Sequence, residues 1–279
     1  MSPRFIRAYA FFDRCLFHFI RLWSLVRDEI LWAWTVPEQR EQITFQSYEV
    51  HSTFLSGGET FEGGLFPWER LAITSPPFPQ KGHILVGGCG GGREVAELRK
   101  LGYEVTAFEP SPSFAEGSRR LAASLSRVRF AQASYRDLLA AFSGAENLLT
   151  PLIRNATFDG MILGWGSFSH VTDITQRRNL LCALRKLYPT APLLVGFTSI
   201  PDIPAGFIDR MRPPMRRILT TFGAPSRAAD GDVFTHGSGF THCFTPKEFR
   251  QLASDAGYQI AHANLFPSNQ AYALLTQIL

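Results

Sequence analysis

The residues from Ile84 to Glu94 read Ile-Leu-Val-Gly-Gly-Cys-Gly-Gly-Gly-Arg-Glu, an apolar run that ends in glycines and leads directly into a helix-compatible segment, Arg93 to Leu101. The chemistry such a stretch can do is binding. Glycines let the backbone come close to a ligand, and a helix start offers unpaired N–H groups. Gly88, Gly90 and Gly92 are spaced G-x-G-x-G. A dinucleotide fingerprint, G-x-G-x-x-G, would need a small residue at 93 or 95, where Arg93 and Val95 stand. A second group lies in Gly164-Trp165-Gly166-Ser167-Phe168-Ser169-His170, after the run Asp159 to Gly164. If that run is a strand of an open α/β sheet, this loop emerges at the carboxyl end, where such sheets bind ligands. His170 titrates near neutral pH and is either a general base or a brace for the loop. Trp165 either walls a ligand or packs. A third group holds Arg210, Arg212, Arg216 and Arg217, followed by His236, Phe240, His242 and Cys243. Arginines at this density either clamp an anionic substrate group or line a solvated helix face. The two histidines and Cys243 do not have zinc-ligand spacing, so no metal is expected.

With Glu109 closing the next apolar run, Tyr103 to Phe108, the chain from about Gly82 onward resembles the class I S-adenosylmethionine-dependent methyltransferases. In that family the glycine loop wraps the amino-acid end of the cofactor, and the acid after the second strand accepts hydrogen bonds from both ribose hydroxyls. The resemblance therefore implies S-adenosyl-L-methionine as cofactor, held by Gly87, Gly88, Cys89, Gly90, Gly92, Glu109, Pro110, Ser134, Tyr135, Gly164 and Trp165. Cys89 is expected to pack there rather than to act as a nucleophile. From the residues themselves, His170 is the candidate catalytic base, and Trp68, Ser167, Arg210, His236 and His242 are candidates to meet the substrate. Two positions depart from the family pattern. Val86 stands where an acid usually helps to hold the cofactor's ammonium group, and Ser134 where an acid commonly meets the adenine amine. Upstream, Phe66, Trp68 and Glu69 either close over the cofactor, with Glu69 offsetting the acid missing at 86, or Trp68 anchors the core. The implied activity is methyl transfer to an oxygen or nitrogen of a small molecule, such as a specialised metabolite; the alternative is a binding or scaffold protein that keeps the fold without the reaction. The N-P-P-Y-type motif of methyltransferases acting on nucleic-acid bases or protein glutamine is absent.

These residues need elements to position them. Strands are expected at about 83–87, 103–109, 128–131, 159–164 and 192–197, alternating with helices at 92–101, 112–125, 135–142 and 173–188. Such alternation makes a mostly parallel sheet with helices on both faces. Thr245-Pro246-Lys247-Glu248 opens a further helix to Ala256, and 260–265 and 271–276 read as a terminal antiparallel pair. The expected architecture is thus an α/β, Rossmann-like methyltransferase sheet with an antiparallel last strand: a helical N-terminal extension or lid over residues 1–80, then a cofactor-binding domain over 81–279 with an insertion at about 198–245.

Bulk composition agrees with a globular chain: 279 residues, 45% hydrophobic and 19% charged. A net charge of +4 gives no reason to expect nucleic acid as a partner. Cys15, Cys89, Cys182 and Cys243 form no C-x-x-C pair, the pattern of reduced thiols in a cytoplasmic protein. Residues 1–34 are rich in Phe, Trp, Leu and Ile, but charges interrupt every run before it reaches a membrane span or a cleavable leader. Arg7, Arg14, Arg21 and Asp28 recur every seven positions, a narrow polar stripe on an otherwise apolar helix. This helix is expected to be a lid, a homodimer surface, or a peripheral contact with a membrane or carrier protein.

Overall fold

Strand β1 (His83–Gly87) delivers the glycine run to the middle of a seven-stranded sheet. A computed structural model describes residues 3–49, 55–201, 209–235 and 237–277. The chain begins with helices α1 (Pro3–Trp34), α2 (Pro37–Tyr48), α3 (Glu59–Glu62) and α4 (Pro67–Thr74). After β1 come α5 (Arg93–Lys100), β2 (Glu104–Phe108), α6 (Pro112–Ser124), β3 (Val128–Ala131), α7 (Tyr135–Phe142), α8 (Thr150–Ile153), β4 (Gly160–Leu163), α9 (Ile174–Leu187) and β5 (Leu193–Ser199). Then follow α10 (Arg212–Thr221), the hairpin β6 (Asp232–Thr235) and β7 (Gly239–His242), α11 (Pro246–Asp255), β8 (Tyr258–Asn264) and β9 (Ser268–Gln277).

The sheet order is β3-β2-β1-β4-β5-β9-β8. Its first five strands are mutually parallel, whereas β9 runs antiparallel to both β5 and β8. Alternate side chains enter opposite layers, as a period of two requires. Ile84, Val86, Val105 and Ala107 join one buried cluster; Leu85, Phe108, Met161 and Leu163 join the other. Burial on both faces explains why these strands read as continuous apolar runs.

The N-terminal helices and the β6–β7 hairpin stand together beside the strand ends. Leu25, Trp32 and Ala33 of α1 are buried, and Trp32 meets Phe240 edge-on at 5.2 Å. Glu29, buried, receives Arg212 and Arg216 of α10 at 2.9 Å each. Arg40 of α2 donates to the carbonyls of Trp32 (2.9 Å) and Thr35 (2.6 Å) and lies over the Trp32 ring, so it locks the corner between α1 and α2. Upstream of residue 24, by contrast, α1 is exposed on every side. None of the described helices is long and apolar enough to cross a membrane.

Candidate active site

The loop after β1 takes its shape from left-handed glycines, with φ of +63° at Gly88, +53° at Gly90 and +90° at Gly92. At Gly88 a Cβ would also lie 2.5 Å from the Ser167 Cβ, so this position excludes a side chain twice over. Glu109, one residue past β2, ties the loop down. Its carboxylate accepts the Gly90 N–H at 2.9 Å and the Ser111 N–H at 3.0 Å, one on each oxygen. Each oxygen keeps acceptor capacity for a further donor. Burial is the larger influence and pushes the Glu109 carboxyl up to about 7, against the opposing pull of those two N–H groups. Ser118 donates to the Gly90 carbonyl at 2.8 Å. The buried Cys89 thiol, raised well above its ordinary range by burial, packs against Ser118. It has neither the exposure nor the thiolate character of a nucleophile.

A cavity of about 400 Å³ opens on this loop. Its floor includes Gly88, Cys89, Gly90, Glu109, Pro110 and Ser134. One face of α2 (Pro37, Glu41, Thr44, Phe45 and Tyr48) lines it at helical spacing, and the hairpin adds Val233, Thr235 and Thr241. Glu41 faces the Ser134 hydroxyl and is held by Arg136 at 3.2 Å. Arg136 also pairs with Glu38.

His170 sits in the short 3₁₀ turn Ser167–His170 after β4. Its Nδ1 is 3.1 Å from the Phe240 carbonyl, which can only accept, so the proton resides on Nδ1. Nε2 is therefore the acceptor for the Tyr48 hydroxyl, 2.7 Å away. Burial lowers the His170 pKa from 6.5 and raises that of Tyr48 to about 12. The pair is a neutral imidazole with a neutral phenol, and it joins α2 to the loop after β4.

Most of the expected residues converge on the cavity: Gly88, Cys89, Gly90, Glu109, Pro110, Ser134, Tyr135, Trp165, Ser167 and His170 all line it. Gly87, Gly92 and Gly164 lie behind the lining; a Cβ at Gly164 would stand 2.8 Å from the Gly88 carbonyl, so its role is close backbone packing. Tyr135 supports the loop from below, its hydroxyl 3.0 Å from the Gly87 carbonyl and 2.6 Å from Ser167 Oγ. Ser134 caps α7, accepting the Asp137 N–H.

Three of the residues expected near the substrate are not brought to the cavity. Trp68, half-buried, packs against the core and stacks on Tyr272 at 4.7 Å, so its ring is taken up between α4 and β9. His242 is enclosed between Asp232 (2.7 Å) and Glu248 (2.8 Å), which satisfy both ring nitrogens. Arg210 is exposed in a 3₁₀ turn before α10, and its neighbours Arg212 and Arg216 are engaged by Glu29 rather than by the cavity. His236 lies outside the described residues. Val86 is fully buried in the core, but Glu94 lines the cavity from the start of α5. Arg93 binds Glu94 at 2.7 Å and Glu69 at 2.5 and 2.7 Å, so Glu69 is already satisfied. Phe66 packs on the Arg93 guanidinium and on Trp165. Sequence reasoning missed Glu41, Thr44, Phe45 and Tyr48, whose spacing along one face of α2 was the available signal. Among the described residues, no group of three His, Cys, Asp or Glu could hold a metal ion.

No protein-family model matches this chain, and no curated protein sequence matches it either. Solved structures do. The PH0226 protein of Pyrococcus horikoshii aligns with a TM-score of 0.57 at 18% identity, covering 84% of this chain and 99% of that one. A 1,6-didemethyltoxoflavin-N1-methyltransferase of Burkholderia thailandensis, crystallised with 1,6-didemethyltoxoflavin and S-adenosylhomocysteine, aligns at 0.54 and 16% identity, covering 86% and 89%. A SAM-dependent methyltransferase of Methanosarcina mazei aligns at 0.51 and 17% identity, covering 77% and 100%. At such identities the likeness concerns architecture, and it agrees with the strand order, the antiparallel β9 and the glycine turn after β1. The chain has the fold of the class I S-adenosylmethionine-dependent methyltransferases.

Proposed function

We propose that this protein transfers a methyl group from S-adenosylmethionine to an oxygen or nitrogen of a small molecule. The observation that carries this reading is one cavity in which the glycine loop and Glu109 lie together with the neutral Tyr48–His170 pair. When bound, the cofactor supplies an electrophilic methyl group on a sulfonium. The remaining work falls to the chain's own residues. Glu109 accepts the two ribose hydroxyls with the acceptor capacity that its backbone bonds leave over. Glu94 gives one oxygen to Arg93 and offers the other to the ammonium group, in place of the acid absent at Val86. Glu41, beside Ser134, serves the adenine amine from a different part of the chain. His170 Nε2 takes the proton of the acceptor, either directly once Tyr48 swings aside or through the Tyr48 hydroxyl, which passes one proton on as it receives another. The face of α2 excludes water and holds the reactants together, where much of the rate enhancement of an in-line displacement arises.

The test is calorimetry with S-adenosylhomocysteine, followed by incorporation of labelled methyl into a panel of phenols and amines. Binding is expected to weaken below about pH 7, because a protonated Glu109 loses acceptor capacity. Glu109→Ala is expected to cost about a hundredfold or more in affinity, the loss of two charge-assisted hydrogen bonds. Wild-type affinity in Glu109→Ala, or no binding by the native chain, overturns the reading.

A further inference from the structure

We propose that the exposed part of α1 is an in-plane docking helix for an anionic lipid surface. This inference is independent of the reaction assigned above. Arg4 to Trp23 are all exposed, and from Leu25 onward the same helix is anchored to the body through Leu25, Asp28, Glu29, Trp32 and Ala33. At a rise of about 1.5 Å per residue the exposed stretch is roughly 30 Å long. Large apolar side chains are open to solvent along its whole length, among them Phe5, Tyr9, Phe12, Leu16, Phe19, Ile20 and Trp23, with Phe12 64% and Trp23 62% exposed.

The pattern around the helix identifies the occupant. At about 100° per residue, Arg4, Arg7, Arg14, His18 and Arg21 fall in one arc roughly 100° wide, which they share with Phe11 and Leu22. Phe5, Phe12, Leu16, Phe19 and Trp23 lie opposite, within an apolar arc of roughly 220° interrupted only by Asp13. A second helix covers a seam much narrower than that, so pairing with another copy would leave most of the aromatic rings wet. A lipid surface covers the whole arc and leaves the basic stripe at the headgroups. Four arginines against one aspartate make this stretch cationic, which complements anionic lipid. Asp13 and the arginines keep the helix at the headgroup boundary and out of the hydrocarbon, in keeping with the absence of a membrane-crossing helix among the described residues.

The test uses the full chain with two sets of vesicles, phosphatidylcholine alone and equimolar phosphatidylcholine and phosphatidylglycerol. Co-sedimentation is expected with the anionic set only, and it should fall as salt is added. Arg7→Glu/Arg14→Glu and, separately, Phe12→Ser/Phe19→Ser should each weaken binding about tenfold or more. Both should keep the native thermal midpoint, since these side chains are exposed. A blue shift of tryptophan emission on binding should disappear in Trp23→Phe while sedimentation persists. Failure to bind either vesicle overturns the proposal. So does equal binding to both, retained binding in the Phe12/Phe19 variant, or a helix-dependent dimer that anionic vesicles do not dissociate.

Discussion

His170 shows how a single side chain is prepared for proton transfer. A carbonyl on one ring nitrogen determines the tautomer, and burial keeps the ring neutral. Because the pKa lies below the ordinary 6.5, kcat at saturating cofactor is expected to be flat above neutrality and to fall only in acid. His170→Asn should lower kcat by about 10²–10⁴-fold with little change in cofactor affinity, measured by steady-state kinetics and calorimetry. A large rise in cofactor Kd at unchanged kcat would instead make His170 a brace. The glycine turn and Glu109 were legible in sequence because each closes an apolar run within a short span, so local spacing carries the information. Tyr48 was not. Its partner lies 122 positions along the chain, and only the folded sheet brings α2 over that loop. His242 misled for the opposite reason: a histidine looks functional until Asp232 and Glu248 are seen to occupy both of its nitrogens.

Among the elements, α2 is the one whose place at the cavity the sequence showed least. Strands β1, β2, β4 and β5 are apolar on both faces and announce themselves; α2 carries a mixed face of Pro37, Glu41, Thr44, Phe45 and Tyr48 because that face meets a ligand cavity and not a core. The β6–β7 hairpin was equally hidden, since two strands of four residues leave little periodic pattern. The two elements touch closely. Phe240 donates its N–H to Thr44 Oγ1 at 3.0 Å, and Gly239, at φ +65°, brings its Cα to where an added Cβ would stand 2.6 Å from the Thr44 Cα. Gly239→Ala is therefore expected to destabilise by about 1–2 kcal/mol from the backbone alone. That corresponds to a fall in thermal midpoint of about 2–8 °C by calorimetry. Because the substitution pushes α2 outward, S-adenosylhomocysteine affinity should fall as well; an unchanged midpoint and affinity would show that the contact relaxes freely.

Across the whole molecule, the parallel sheet supplies the loop ends while the N-terminal helices and hairpin supply the cover. The cover is attached to the sheet side by Arg136, which pairs with Glu38 and Glu41. Such partly exposed pairs contribute little to stability, about 0–1 kcal/mol. Arg136→Ala should thus leave the thermal midpoint almost unchanged while speeding the release of S-adenosylhomocysteine several-fold in stopped-flow measurements. An unaltered release rate would mean that α2 is not part of the exit path. α1 itself runs without a break from its exposed end to Trp34. Toward its end Glu29 is gripped by two guanidiniums, and the Trp32 carbonyl is bound by Arg40 of α2. One continuous helix thus joins the exposed stretch to α2, one face of which lines the cavity.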